Sequence, residues 1–144
     1  MHSVTLSGEN DVRASRLAGK LARVLVDAPC SGFGTLRRNP DLKWRHGPQS
    51  IEELGAKQLR ILGAAARLVR PGGRLVYATC SLLQEENEAI ADAFHAEHAD
   101  FHPLSCKEIL SAQRIDIEAG ARLSLSPHVH GTDGFFAAAF ERRG

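Results

Sequence analysis

The chain has 144 residues, 43% of them hydrophobic, and a formal net charge of +1. That length suits one folded domain with a real core, and the near-neutral charge gives no global reason to invoke a polyanion or a membrane surface. Three widely spaced cysteines form neither a disulfide framework nor close metal-ligand pairs, and no stretch approaches the ~18 apolar residues of a membrane span, so a soluble cytoplasmic protein with reduced thiols is expected.

In chain order, residues 1–20 carry little pattern: residues 4–6 suit a short strand, followed by the turn signal Ser7-Gly8-Glu9-Asn10. Residues 22–27 are a short apolar run with β-branched members that stops near Pro29, which predicts a buried strand. Residues 31–49 mix glycine, proline and basic side chains into a long loop, a length that in compact domains usually signals function or disorder. Ser50 is placed to cap a helix starting at Ile51, with Glu53 completing a capping box. Leu54, Leu59, Ile61, Leu62, Ala65 and Leu68 line its apolar face up to Val69, and Pro71-Gly72-Gly73 stops it. Residues 74–79 are the second predicted strand. A helix over 85–98 follows, with acidic residues in its first turn where the helix dipole favours them. Beyond Asp100 come a short apolar segment at 101–104, an irregular polar stretch, residues 122–126, and a last strand over 135–140.

Strand, crossover helix and strand within this length make a βαβ unit, with parallel strands and a right-handed connection. The fold class is therefore α/β. Cys30 and Cys80, each just past the end of a strand, arrive at the same sheet edge, where open α/β sheets bind ligands. A lone cysteine is ordinarily a small core hydrophobe, and Cys106 keeps that reading. Two thiols delivered together by two strands argue instead for a shared reactive site.

Other features read more plainly. Gly32-Phe33-Gly34 lacks the third glycine of a dinucleotide fingerprint, so turn glycines suffice. His128 and His130 would project from one face of an extended segment, but with no third ligand evident they are read as structural or solvated, and no metal is expected. Asp133-Gly134 is a turn into the last strand. Arg37, Arg38, Lys43 and Arg45, with Trp44 among them, form a local cationic cluster that serves either as a solvated loop or as a phosphate contact.

Asp27-Ala28-Pro29-Cys30-Ser31-Gly32, Tyr77-Ala78-Thr79-Cys80-Ser81 and His130-Gly131-Thr132-Asp133-Gly134-Phe135-Phe136, in this order, resemble the Sun family of S-adenosylmethionine-dependent RNA (cytosine-5) methyltransferases. Leu36-Arg37-Arg38-Asn39-Pro40-Asp41-Leu42-Lys43-Trp44-Arg45 and Pro71-Gly72-Gly73 are similar to that family too, so the likeness runs from about Asp11 to the C-terminus. It implies the C-terminal half of a Rossmann-like class I methyltransferase sheet, mostly parallel with an antiparallel final strand. The chain would be a single partial domain, with residues 1–20 a remnant and 21–144 the catalytic half. The family's glycine-rich cofactor segment, an active-site lysine and a ribose-binding acid would lie upstream, so this chain alone would bind the cofactor poorly and turn over little.

By the same resemblance Cys80 is the nucleophile that adds to carbon 6 of a cytosine, and Cys30 assists release of the product. Asp27 would hydrogen-bond the cytosine edge near N3 and N4 and line the cofactor cleft. Asp11 would approach the adenine of S-adenosylmethionine, although from its own surroundings it reads as a surface turn residue. Pro29, Arg37, Arg38, Lys43, Trp44 and Arg45 would contact RNA, ribosomal by implication, with the cations on phosphates and Trp44 stacking. Single-stranded or loop RNA lets the target base unstack at least cost.

Two readings of other classes stay open: a non-catalytic RNA-binding or assembly module that keeps the fold, and a thiol redox protein using Cys30 and Cys80 reversibly. Because the chain would be a partial domain, the strand ending at Asp27 is expected at an apolar sheet edge, open to self-association unless residues 1–20 cover it.

Overall fold

A computed structural model of the chain describes Gly8 and residues 11–144; the expected strand at 4–6 lies outside the described residues. The elements in chain order are α1 (Val12–Ser15), β1 (Leu21–Asp27), α2 (Pro48–Ala66), β2 (Val69–Thr79), α3 (Glu88–Glu97), β3 (Phe101–Leu104), α4 (Cys106–Ala112), β4 (Leu123–Leu125), α5 (Pro127–His130) and β5 (Phe135–Arg142). Two 3-10 turns, Phe33–Thr35 and Pro40–Trp44, lie in the long loop after β1.

The predicted βαβ unit is present: β1 and β2 pair in parallel, with Asp27 opposite Ala78, and α2 makes the crossover. β5 runs antiparallel to β2, and β3 and β4 pair antiparallel with β5, giving the order β1-β2-β5-β3 with β4 on β5. Four strands thus share one direction and the last strand opposes them, which is the expected α/β sheet.

Inward side chains of β2 and β5 explain why these strands are central. Leu75, Tyr77, Phe136 and Phe140 are all buried to within 1% of complete, and Leu62 of α2 and Phe94 of α3 seal them from the helical side. Phe94 sits edge-on to Phe101 and Phe140 at 5.5 and 5.0 Å between ring centroids. Each such side chain contributes about 1.5–3 kcal/mol by leaving water. Phe136 also meets Tyr77 edge-on at 6.4 Å, which pins the start of β5, and hence Gly134, beside the end of β2.

Several boundaries differ from the sequence reading. α2 starts at Pro48 with Gly47 as its N-cap, because a proline loses nothing in the first turn, where its missing N–H has no partner anyway. Ser50 caps from inside the helix: its hydroxyl accepts the Gly47 N–H at 3.1 Å, while Glu53 accepts from the Gln49 side chain at 3.3 Å. α2 ends at Ala66 because Val69 already pairs with Leu21, and Pro71-Gly72-Gly73 is absorbed into β2 where the register with β1 shifts.

α3 begins at Glu88, after a turn over 84–87. The polar stretch after β3 contains α4, capped by the Ser105 hydroxyl accepting the Glu108 N–H at 3.3 Å. His128 and His130 lie on α5, not on an extended segment, and His130 Nδ1 accepts the Ser126 N–H at 3.0 Å. Cys106 is buried at the start of α4, and that burial pushes its thiol pKa up. Among the described residues no helix is long and apolar enough to cross a membrane.

Candidate active site

The ladder between β1 and β2 continues past Asp27, with the Ala28 N–H donating to the Ala78 carbonyl at 2.9 Å. It therefore carries both chains in step to their cysteines. Cys30 Sγ and Cys80 Sγ stand 3.3 Å apart, both half-buried and both free thiols. That separation allows an S–H···S hydrogen bond and exceeds a disulfide bond by more than 1 Å. Burial, then the hydrogen bond with Cys80, pushes the Cys30 pKa up to about 12. Cys30 is accordingly a neutral thiol at pH 7, with its S–H available to Cys80 Sγ.

Two glycines let three loops meet under these sulfurs. The Gly34 N–H donates to the Cys80 carbonyl at 2.8 Å, and the Gly134 N–H donates to the Gly34 carbonyl at 2.8 Å. A Cβ on Gly34 would stand 2.3 Å from the Gly134 oxygen and 2.6 Å from the Cys80 oxygen, both backbone atoms. Gly34 and Gly134, read above as turn residues, are close-approach positions instead.

Beneath them lies a polar cluster that the sequence reading did not anticipate. Glu86, expected in the first turn of a helix, is fully buried in the 84–87 turn. Its Oε1 accepts the Ser31 N–H at 2.8 Å and Gln58 Nε2 at 3.0 Å, and its Oε2 accepts the hydroxyls of Ser31 and Ser81. Gln58 Nε2 also donates to the Pro29 carbonyl at 2.9 Å. Tyr77 donates its hydroxyl to the Glu86 carbonyl at 2.6 Å, and burial, then the Glu86 charge, pushes the Tyr77 pKa up. Asn87 Nδ2 donates to the Ser81 carbonyl at 2.9 Å. One signal pointed here: a serine follows each cysteine, and two buried hydroxyls need an acceptor.

The remaining candidates are placed less uniformly. Asp27 is exposed at the end of β1, and its carboxylate makes no hydrogen bond or ion pair with another of the described residues; Pro29 beyond it is also exposed. Leu25, two residues before Asp27 and so on the same face, is 68% exposed, and β1 ends the sheet among the described residues. The cationic loop is partly neutralised: Arg38 and Arg37 both reach Asp133, the latter at 3.9 Å, and Arg45 pairs with Asp41. Lys43 Nζ lies 4.8 Å over the ring of Trp44, which is 81% exposed. Asp11 caps α1, accepting the Arg13 N–H at 2.8 Å and pairing with the Arg13 guanidinium. The structure thus brings Cys30, Cys80 and Asp27 to one sheet end, with the cationic loop leading away from it, and ties Asp11 to its own short helix.

Comparison with known proteins finds relatives along most of the chain. A family model described as 16S rRNA methyltransferase RsmB/F matches residues 3–141. A Bacillus subtilis protein named "Probable ribosomal RNA small subunit methyltransferase B" is 45% identical over 85% of this chain and 28% of its own length. "Ribosomal RNA small subunit methyltransferase B" of Thermus thermophilus is 38% identical over 83% of this chain and 29% of its own. Among solved structures, that of PH0851 superposes with a TM-score of 0.78 at 38% identity, covering 87% of this chain and 27% of that one. NSun6 from Pyrococcus horikoshii, solved with SFG, gives 0.66 at 28% identity, covering 91% and 33%. The chain therefore spans well under half the length of the relatives it matches.

Proposed function

Because the chain belongs to the 16S rRNA methyltransferase RsmB/F family, we propose that its paired thiols serve the methylation of an RNA cytosine at carbon 5. Residues 21–144 act in this reading as the catalytic half of a methyltransferase domain. The observation that carries it is the 3.3 Å approach of Cys30 and Cys80 at the strand ends, where Asp27 is exposed.

Carbon 5 of cytosine is too weak a nucleophile to take a methyl group unaided. Cys80 Sγ adds to carbon 6 as its S–H proton passes to N3, and the electron pair displaced from the ring double bond makes carbon 5 nucleophilic. Asp27 accepts hydrogen bonds from the N4 amine and from N3 as the ring becomes protonated, offsetting the charge that builds there. Once carbon 5 carries the methyl group, its proton leaves to water, the double bond reforms as Cys80 departs, and the N3 proton returns to the Cys80 sulfur. Cys30, held neutral by burial, donates its S–H to the departing sulfur. That donation is how it assists release.

The family depends on S-adenosylmethionine, which supplies an electrophilic methyl group on a sulfonium when bound. This chain offers a partial fit: the exposed carboxylate of Asp27 and the exposed Leu25 on the same face of β1 suit a cationic sulfonium and an apolar nucleoside, and Asp27 would hold it. Asp11 contributes less, since its carboxylate already carries Arg13. The RNA, ribosomal by family, would meet Pro29, Lys43 and the exposed Trp44 face first, with Arg37, Arg38 and Arg45 exchanging carboxylate partners for phosphates.

Incubation with the methyl donor and RNA containing 5-fluorocytosine tests this reading, because fluorine cannot leave carbon 5 as the proton does. A complex that survives denaturation is expected. Methyl transfer with no such complex would overturn the covalent route.

A further inference from the structure

We infer that Glu86 is the positioning residue of the thiol pair: its buried carboxylate ties the loop after β1 to the loop after β2 and so sets the separation of the two sulfurs. This deepens the reading in which both thiols act on one base. Cys30 is bracketed from both sides. Gln58, itself held by Glu86 Oε1, grips the Pro29 carbonyl before it, and Glu86 takes both the N–H and the hydroxyl of Ser31 after it. Cys80 is bracketed likewise, by the Gly34 N–H on its own carbonyl and by the Ser81 hydroxyl on Glu86 Oε2. Each sulfur has the other as its side-chain hydrogen-bond partner among the described residues, and the Cys30 thiol is otherwise met only by backbone, that of Gly32 and of Cys80. Their spacing is therefore inherited from these backbone ties, and Glu86 is where the ties of the two strands join.

A carboxylate is costly to bury, and none of the four donors to Glu86 is a cation. Replacing the whole cluster, donors and acceptor together, by well-packed apolar residues would serve stability as well. What the carboxylate adds is geometry: two oxygens that accept from residues 31, 58 and 81 at once. A glutamine at this place keeps that geometry. Its oxygen replaces Oε1, and its amide N–H groups donate to the two serine oxygens, whose hydroxyl protons turn away. An alanine severs all of it.

The full chain, equilibrated with glutathione and glutathione disulfide, reports the juxtaposition directly and needs neither RNA nor methyl donor, so it stands or falls apart from the adduct experiment. One glutathione disulfide oxidises Cys30 and Cys80 to a disulfide and leaves two glutathiones; mapping the alkylated and linked peptides gives the effective concentration of one thiol at the other. Circular dichroism confirms that each variant is folded. Glu86→Ala should lower that concentration by about tenfold or more, the scale of one buried charge-assisted hydrogen bond, while Glu86→Gln stays within about threefold of the parent. If Glu86→Ala does not fold, Ser81→Ala, which cuts one tie, decides with a loss in the same direction. An unchanged effective concentration in the deciding variant, or a Glu86→Gln loss as large as that of alanine, would overturn the inference.

Discussion

The backbone N–H of Gly34 donates to the carbonyl of Cys80 at 2.8 Å, so the loop that leaves β1 holds the residue that ends β2. Two strands that pair in parallel are thereby joined a second time, by their loops, at the point where the two sulfurs meet.

Gly34→Ala should cost about 1–3 kcal/mol of stability, since the new Cβ must push apart two backbone segments instead of a flexible side chain. Urea unfolding measures it. A midpoint equal to that of the parent would show that the three loops do not need this close approach.

Raising the pH should destabilise the protein through Cys30. Below the ordinary thiol value of 9.0 neither the folded nor the unfolded thiol is ionised, so the group contributes no pH dependence. Above it the unfolded thiol releases its proton while the folded one, raised to about 12, keeps it, and stability falls across that window. Cys30→Ser removes this component. Identical loss of stability between pH 9 and 11 in parent and Cys30→Ser would contradict the burial of the thiol as its cause.

Asp133→Asn should strengthen RNA binding, because Asp133 now occupies both Arg37 and Arg38. Each cation released to a phosphate should steepen the dependence of log affinity on log salt by about 0.7 for a single strand. Filter binding across a salt series reads both effects. Weaker binding by the variant would mean that Asp133 orients the arginines for RNA and does not compete with it.

Leu25→Lys should reduce association between copies of the chain. Leu25 is 68% exposed on β1, which has no neighbour on its outer edge among the described residues, and an apolar edge strand is a template for pairing. Sedimentation at increasing concentration is the check: the parent should associate and the variant should not. A parent that stays monomeric at every concentration would remove this edge as an interface.

The sheet was legible because its signals are local. The β-branched run of Val24 and Val26 and the apolar face of α2 each declare themselves within a few residues, and the βαβ rule then places Cys30 and Cys80 at one end. What escaped notice depends on partners distant in sequence. Nothing in Glu85-Glu86-Asn87-Glu88 says which acid turns inward, because the choice is made by Ser31, 55 residues earlier, and by Gln58. Gly34 and Gly134 are ordinary turn glycines until the sheet brings them into contact. Likewise the cationic loop looked free because its main counter-charge, Asp133, lies 95 residues away from Arg38. Ser50 misled for the opposite reason: it does hydrogen-bond the helix start, but from its third position, while Pro48 defines the first turn.

The most direct test of the division of labour between the thiols is peptide mapping of the complex trapped on unmodified cytosine RNA in Cys30→Ala and Cys80→Ala. Cys30→Ala should accumulate RNA bound through Cys80, since addition proceeds and assisted release does not; Cys80→Ala should trap none. RNA linked through Cys30 in the Cys80→Ala protein, or no accumulation in Cys30→Ala, would contradict the account.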